Sequence, residues 1–112
     1  MEKKDTLPNC PVETTLTLIS DRWKVLILRD LMFGTKRFGE LKKSLGTISQ
    51  KVLTANLRSM ESSGLLTRTV YPEVPPRVEY TLTETGQSLA PVMEALKDWG
   101  LMYQEQHRNQ DC

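Results

Sequence analysis

The apolar residues of this chain change their spacing twice, and this change restricts the possible folds more than any other feature of the sequence. Up to Gly64 they recur every three or four positions, as in amphipathic helices. From Leu66 to Leu82, Thr, Val and Tyr are frequent and apolar residues come to alternate with polar ones, which predicts strands. The helical spacing then returns and continues to Tyr103. The sequence therefore predicts helices, then two strands, then a last helix.

Residues that begin and end helices divide the first part of the chain. Ser20 and Asp21 are candidate N-caps, so we expect the first apolar run to split into a short helix and a longer one. Gly34 is the candidate end of the longer helix, because glycine adopts the left-handed conformation common at helix ends.

The next two helices are joined by a turn of about four residues, 45–48. Gly46 closes the first of them, which has only two or three turns. The second begins either with Ser49 as its N-cap or with Thr47 and Gln50 as a capping box. It continues to Gly64.

The two predicted strands, 66–71 and 77–82, enclose a proline-rich loop at 72–76. Proline has no backbone N–H to donate to a neighbouring strand, so the loop cannot extend the pairing. We therefore expect a hairpin with a stiff tip.

The last helix is expected to begin with Thr83 as its N-cap. Pro91 lies inside the helical pattern and should end a turn or kink the helix near Ala90. An apolar stripe follows this helix, and it consists of Leu89, Val92, Met93, Leu96, Trp99 and Tyr103.

With 112 residues and 38% apolar content, the chain can form one domain that buries about two-thirds of its unfolded surface. The order of elements indicates a mainly α fold with a small β-hairpin wing (α+β), the winged helix-turn-helix. We expect an N-terminal arm at 1–9, the domain with its dimerisation helices at 10–104 and a tail at 105–112.

The net charge of +1 conceals an uneven distribution. Residues 36–58 contain six basic residues against Glu40 alone, whereas residues 84–112 carry five acidic and two basic residues. The chain therefore has a basic centre and an acidic end.

The helix after the short turn has the two faces that a DNA-reading helix needs. At about 100° per residue its apolar and polar residues separate. Arg and Lys can read guanine, Gln can pair with adenine, and the methyl groups of Ala and Thr can touch thymine. A solvated helix face is the alternative interpretation. The apolar direction holds Val52, Leu53, Leu57 and Met60, and the opposite one holds Gln50, Lys51, Thr54, Ala55 and Arg58.

Other basic residues are candidates for contacts with backbone phosphates. Arg77 at the base of the hairpin is suited to an adjacent groove or a phosphate, or alternatively to an ion pair with Glu73 or Glu79. The remaining candidates, on the preceding helix and its entry, are Lys36, Arg37, Lys42 and Lys43.

Several classes of protein are disfavoured. No apolar run approaches the roughly 20 residues that span a bilayer, and the N-terminus has no apolar signal segment, so we expect a cytoplasmic protein without a membrane partner. Cys10 and Cys112 are too far apart in the chain to form a metal-ligand motif, so we expect no metal and no cofactor. The only histidine, His107, has no catalytic arrangement around it, so we expect no enzyme.

Three segments resemble the HxlR-type transcriptional regulators, which are compact bacterial relatives of the MarR-type winged-helix proteins. They are CPVETTLTLISDRWKVLILRDLMFGTKRFGEL at 10–41, ISQKVLTANLRSMESSGLL at 48–66 and VYPEVPPRVEYTLTETGQSL at 70–89. The resemblance covers roughly residues 10–100. Residues 20–23 read Ser-Asp-Arg-Trp, where the family more usually has Gly-Gly-Lys-Trp.

The resemblance implies a homodimer that binds double-stranded DNA at inverted repeats, with the outer helices forming the dimer. By position, 49–58 is the recognition helix, which makes Ser49 a candidate DNA contact, 36–43 is the supporting segment, and 72–77 is the wing. The resemblance is compatible with a repressor and with an activator. It specifies neither an operator sequence nor a small-molecule effector.

The resemblance also implies that Cys10 matches a redox- or electrophile-sensing thiol of some family members. Its position at a helix start favours the thiolate, because the helix dipole is positive there. The alternative is a small apolar residue buried in the dimer interface. We expect Cys112, the final residue, to be disordered and without a function, or alternatively to pair with a partner thiol.

The last helix carries more apolar surface than one face can bury, because Leu101 and Met102 lie beside the stripe that contains Trp99 and Tyr103. Burial on two sides favours a homodimer, whose recognition helices would lie about 34 Å apart and meet successive major grooves. The alternative function is a winged-helix protein-interaction module without sequence-specific DNA binding.

Overall fold

The computed structural model describes residues 7–111. Residues 1–6 and Cys112 lie outside the described residues, so the predictions for Cys112 and for most of the N-terminal arm are not addressed by it. The helices are α1 (Pro11–Ile19), α2 (Arg22–Leu31), α3 (Phe38–Leu45), α4 (Gln50–Ser62), α5 (Glu84–Gln87) and α6 (Ala90–Asp111), and the strands are β1 (Lys36–Arg37), β2 (Leu66–Tyr71) and β3 (Arg77–Leu82).

The winged helix-turn-helix is confirmed, with β2 and β3 at the predicted bounds. The two strands pair antiparallel, so that Leu66 lies opposite Leu82. Strand β1 was not predicted; it pairs with the other side of β3 and completes a sheet of order β1-β3-β2. A strand of two residues is too short to show alternation, so no pattern in the sequence could reveal it.

Side-chain caps explain where two of the helices begin. The Asp21 carboxylate accepts hydrogen bonds from the backbone N–H groups of Trp23 at 2.7 Å and Lys24 at 3.2 Å, which separates α2 from α1 as predicted. At the start of α4, the Ser49 hydroxyl accepts a bond from the backbone N–H of Val52 at 3.1 Å. Of the two caps considered for α4, the structure therefore shows Ser49 as N-cap.

The prediction for the start of the last helix was wrong. Thr83 caps only α5, which ends at Gln87, and α6 begins at Ala90 after a turn at 88–89. The predicted interruption near Ala90 is confirmed, because α5 and α6 are separate helices and Pro91 lies in the first turn of α6, where its missing N–H removes no hydrogen bond. The segment that we set apart as a tail is helical as far as Asp111.

The core lies between the helices and one face of the sheet. Its fully buried side chains are aliphatic for the most part, and Leu89, Val92 and Met93 of the last helical region pack against its edge. The side chains of this core with the least exposure are Ile27, Leu28, Leu31, Leu41, Ile48, Leu53, Leu57, Met60, Leu65 and Leu66.

One residue of the predicted apolar face of α4 was placed wrongly. Val52 is 38% exposed, whereas Asn56 is only 6% exposed. The Asn56 amide donates a hydrogen bond to the backbone carbonyl of Val52 at 3.0 Å, which satisfies a polar group that burial would otherwise penalise. A local partner on the same helix lets the polar residue replace the apolar one inside.

Within residues 7–111, no helix combines the length and the apolar composition needed to cross a membrane.

Candidate nucleic-acid interface

The outer face of α4 presents the predicted base-reading residues together. Gln50, Lys51, Ala55 and Arg58 are exposed and Thr54 is half-buried. These five residues line one shallow surface depression, so they share a single face as their spacing predicts. The face combines two cations, an amide and two methyl-bearing side chains, a set of groups suited to the edges of base pairs.

Ser49 differs from the other candidates on this helix because its hydroxyl is already engaged. It accepts the backbone N–H of Val52 as the N-cap of α4. An oxygen that accepts one hydrogen bond can still donate its own proton. Ser49 therefore combines a defined structural role with an exposed position at the start of the predicted recognition helix.

The four basic residues before α4 surround the start and the outer side of α3. Arg37 and Lys43 are exposed, and Lys36 and Lys42 are half-buried. The backbone N–H of Arg37 donates to the Glu40 carboxylate at 2.8 Å, so the only acidic residue of this segment is committed to the helix start.

The basic residues of this region keep their charges unpaired. Within the described part of the chain, no ion pair involves Lys36, Arg37, Lys42, Lys43, Lys51 or Arg58. A group of unpaired cations on neighbouring elements attracts polyanions, and this attraction weakens as salt screens it.

Arg77 shows the ion pairs that we weighed as the alternative to a DNA contact. Its guanidinium lies 3.3 Å from the Glu73 carboxylate and 3.5 Å from that of Glu79, and it stacks over the ring of Tyr71 at 4.1 Å. Arg77 therefore ties the wing loop to both strands. A DNA contact by this residue stays a prediction.

A second concave surface, which we did not predict, lies between α4 and the sheet. Arg58 lines it from the helix and Arg68 of β2 lines it from the sheet. Arg68 did not stand out in the sequence because one basic residue in a strand rich in Thr is typical of a solvated face. The sequence did offer one indication: Arg68 is two positions from the buried Leu66, so the two side chains lie on the same side of the strand.

The distal part of α6 is an unpartnered apolar surface in the single chain. Leu96 is 49% exposed, Trp99 60% and Tyr103 46%, and the rings of Trp99 and Tyr103 stack with centroids 5.1 Å apart. Leu101 and Met102 are also about half exposed. The predicted stripe is thus divided, since Leu89, Val92 and Met93 contact this chain's own core.

An apolar groove of about 630 Å³ continues this surface onto α2. Met93 and Leu96 line it from α6, and Phe33, which follows α2, is 83% exposed at its edge. Contiguous exposed apolar area of this kind is unusual on a monomer and marks an interaction surface.

Cys10 is the N-cap residue of α1 and is exposed. Its carbonyl accepts hydrogen bonds from the backbone N–H of Thr14 at 3.0 Å and from the Thr14 hydroxyl at 3.2 Å. The thiol is not buried within its own chain, so burial could arise only in a dimer. Its predicted position at a helix start is confirmed.

The fold and this arrangement of helices define a winged helix-turn-helix transcriptional regulator. The family described as HxlR-like helix-turn-helix matches residues 18–108, and the chain belongs to this family. Its relatives are transcriptional regulators and not enzymes, as expected.

Two relatives illustrate the degree of similarity. An uncharacterised HTH-type transcriptional regulator of Methanothermobacter thermautotrophicus is 49% identical over 100 residues, which cover 89% of this chain and 76% of the relative. The regulator YdeP of Bacillus subtilis is 48% identical over 101 residues, which cover 90% of this chain and 79% of YdeP.

Solved structures include proteins described as redox regulators. The reduced form of the redox regulator HypR superposes with a TM-score of 0.83 at 39% identity, covering 89% of this chain and 99% of HypR. Its oxidised form gives 0.79 at 43% identity, covering 83% and 96%. A chain from Porphyromonas gingivalis W83 assigned to the MarR family gives 0.80 at 35% identity, covering 83% and 91%.

Proposed function

We propose that this protein binds specific DNA sequences as a homodimer and regulates transcription from inverted-repeat operators. The observation that carries the proposal is the exposed face of α4, where Lys51 and Arg58 have no ion-pair partner in the described chain. The six basic residues of 36–58 are balanced by Glu40 alone. A surface that serves only solubility usually carries positive and negative charges side by side.

The proposed roles divide between reading bases and positioning the protein. Lys51, Thr54 and Arg58 are the base readers, and Gln50 lies beside them on the same face. Ser49 and the wing residue Arg77 make backbone or groove contacts. Backbone contacts also come from the supporting segment, namely Lys36, Arg37, Lys42 and Lys43.

The homodimer follows from the exposed apolar part of α6. A second copy would cover Leu96, Trp99 and Tyr103 through a two-fold interface, and it would place two copies of α4 on the same side of a duplex. Two recognition helices about 34 Å apart match one turn of B-DNA and therefore an inverted repeat. Because the proposed target is the genomic DNA of a prokaryotic cell, we place the protein in the cytoplasm.

The experiment is selection of binding sites from a random-sequence duplex pool, followed by salt titration on the enriched site. We expect an inverted repeat whose half-sites are about 10 base pairs apart, with affinity that falls steeply as salt rises. Failure to enrich any sequence, together with salt-independent binding, would contradict the proposal and leave the protein-interaction module as the better interpretation.

We also propose that Cys10 makes DNA binding sensitive to oxidants or electrophiles. Its exposure at the start of α1 supports this, as does the similarity to proteins described as redox regulators. DNA affinity is measured before and after mild oxidation for the wild type and Cys10→Ser. We expect only the wild type to respond, and an equal response from both proteins would refute the role of Cys10.

A further inference from the structure

A cleft of about 350 Å³ separates the recognition helix α4 from the sheet of the wing. Both walls contribute a guanidinium group, Arg58 from the helix and Arg68 from β2. Hydrogen-bonding groups accompany them, namely the amide of Gln50 and the hydroxyl of Thr54. Glu61 and Tyr80 also line the cleft.

Arg68 lies on the face of the sheet that carries the core residues Leu66, Tyr80 and Leu82. Strand residues two apart point to the same side, so Arg68 shares its side with the buried Leu66. Its partner across the sheet is Tyr80, which is 7% exposed. Arg68 itself is exposed and takes part in no ion pair within residues 7–111. It therefore stands just beyond the core, with its charge directed at the cleft.

We propose that this cleft receives one sugar–phosphate strand of the duplex and that Arg68 contacts a backbone phosphate there. The inference rests on the proposed DNA binding by α4. When α4 occupies the major groove, the wing beside it faces the neighbouring groove, and the two grooves are separated by a single backbone strand. That strand must pass between the helix and the sheet, which is where the cleft lies.

The charges of the cleft suit a phosphate diester. Arg58 and Arg68 face it from opposite walls, and Glu61 is the single acidic residue among those that line it. Guanidinium groups match phosphate oxygens in geometry and hold their charge at every physiological pH. Because Arg58 is assigned to base reading, Arg68 is the cation of the cleft that is left to neutralise the single charge of one phosphate group.

Edge protection is a different explanation for an inward-pointing charge in β2. This strand forms one edge of the sheet, and charged residues on edge strands prevent pairing with other molecules. The two explanations predict different behaviour of Arg68 variants, because protection of an edge affects self-association and not the salt dependence of DNA binding.

The test compares Arg68→Gln, Arg68→Lys and, as a matched control, Arg108→Gln, which removes the same charge from an exposed position near the end of α6. Fluorescence anisotropy measures the affinity of each protein for a mixed-sequence duplex of about three helical turns at increasing salt. Melting temperature and sedimentation report on folding and self-association.

We expect Arg68→Gln to lower the slope of log affinity against log salt by about 0.9 for each bound protomer. Between about 50 and 200 mM salt, the wild type should therefore lose about 3.5-fold more affinity than the variant for each contact removed. Arg68→Lys should keep most of the slope, because an ammonium group also neutralises a phosphate, and Arg108→Gln should keep all of it.

An unchanged slope in folded Arg68→Gln would overturn the phosphate contact, and increased self-association of that variant would assign Arg68 to edge protection instead. An equal decrease of the slope in Arg108→Gln would also overturn it, because the effect would then be one of total charge. If the wild type itself binds without salt dependence, the proposed DNA binding fails, and this outcome is distinct from a failure at Arg68 alone.

Discussion

Some arginine and lysine residues among those that the structure describes have carboxylate partners, and the ones of the basic segment do not. Arg29, Arg77 and Lys97 form ion pairs with neighbouring carboxylates, and the exposed pair of Lys97 with Glu94 contributes little to stability. The basic residues of α4 and the preceding segment have no such partners in the described chain. Their charges are therefore available to a polyanion, which is the residue-scale basis of the proposed function.

Replacing a proposed base reader should alter specificity. In Arg58→Ala the guanidinium that can bind guanine is lost, so we expect discrimination at one base pair to fall by about 1 to 3 kcal/mol. Competition between the selected site and its single-base variants measures this. A uniform loss of affinity for all sequences would instead assign Arg58 to the backbone.

Replacing a proposed phosphate contact should affect all sequences alike. In Lys43→Ala we expect weaker binding to every duplex and a salt slope lower by about 0.9 for each protomer, because one counterion fewer is released. Arg108→Ala is the control, since Arg108 is exposed near the end of α6, far along the chain from the basic segment. A loss confined to one sequence would contradict a backbone role for Lys43.

Gly86 occupies a position where any side chain meets the backbone. A Cβ atom there would collide with the Leu65 carbonyl oxygen and contact the Leu82 side chain at 3.0 Å. We expect Gly86→Ala to destabilise the fold by about 1 to 3 kcal/mol, as overpacking does. Denaturant unfolding measures this, with Gly100→Ala as control because its Cβ would meet nothing within 4 Å. Equal stability of the two variants would show that the backbone around Gly86 and Leu65 shifts to accept a side chain at no cost in stability.

The junction between the wing and the last helix illustrates how elements constrain one another. The Thr83 N–H donates to the Leu65 carbonyl at 3.0 Å, and the Thr83 hydroxyl donates to the Gly64 carbonyl. These bonds hold α5 against the end of α4. A turn at 88–89 separates α5 from α6, so Thr83 does not begin one continuous helix.

Ser49 allows the helix cap and the DNA contact to be tested separately. Ser49→Ala removes the bond to the Val52 N–H, so we expect the free energy of unfolding to fall by about 1 kcal/mol. Ser49→Asp keeps an effective cap, and we expect near wild-type stability but weaker DNA binding, because the new charge repels phosphates. Thermal unfolding and anisotropy give the two readouts. Normal DNA binding by Ser49→Asp would place this helix end away from the duplex.

At the scale of the whole molecule, the central helices and the last helix present surfaces of different chemistry. The basic surface lies on α3 and α4, and the exposed apolar surface lies on α6 and the adjoining groove. Binding of a second copy through the apolar surface would leave the basic surface of each protomer free. A modest net charge of +1 then implies that tight binding needs both protomers and a matching sequence.

Disrupting the apolar surface should separate the protomers without unfolding them. Trp99 is 60% exposed in the single chain, so Trp99→Glu costs the monomer little but places a charge within the proposed interface. We expect a folded monomer with much weaker operator binding, measured by sedimentation, circular dichroism and anisotropy. Trp99→Phe should keep the dimer. A dimeric Trp99→Glu protein would place the interface elsewhere.

The sequence by itself determined the types of element, most of their boundaries and the common face of Lys51, Thr54 and Arg58. These depend on interactions within a few residues, such as the Asp21 and Ser49 caps and the period of a single helix. The family resemblance rested on the same local segments.

Only the tertiary structure decided the features that join distant parts of the chain. The pairing of β1 with β3 brings Lys36 opposite Tyr80, and the cleft brings Arg58 opposite Arg68, across a helix end and a turn. Packing between elements selects these arrangements, and no periodicity along one element records them.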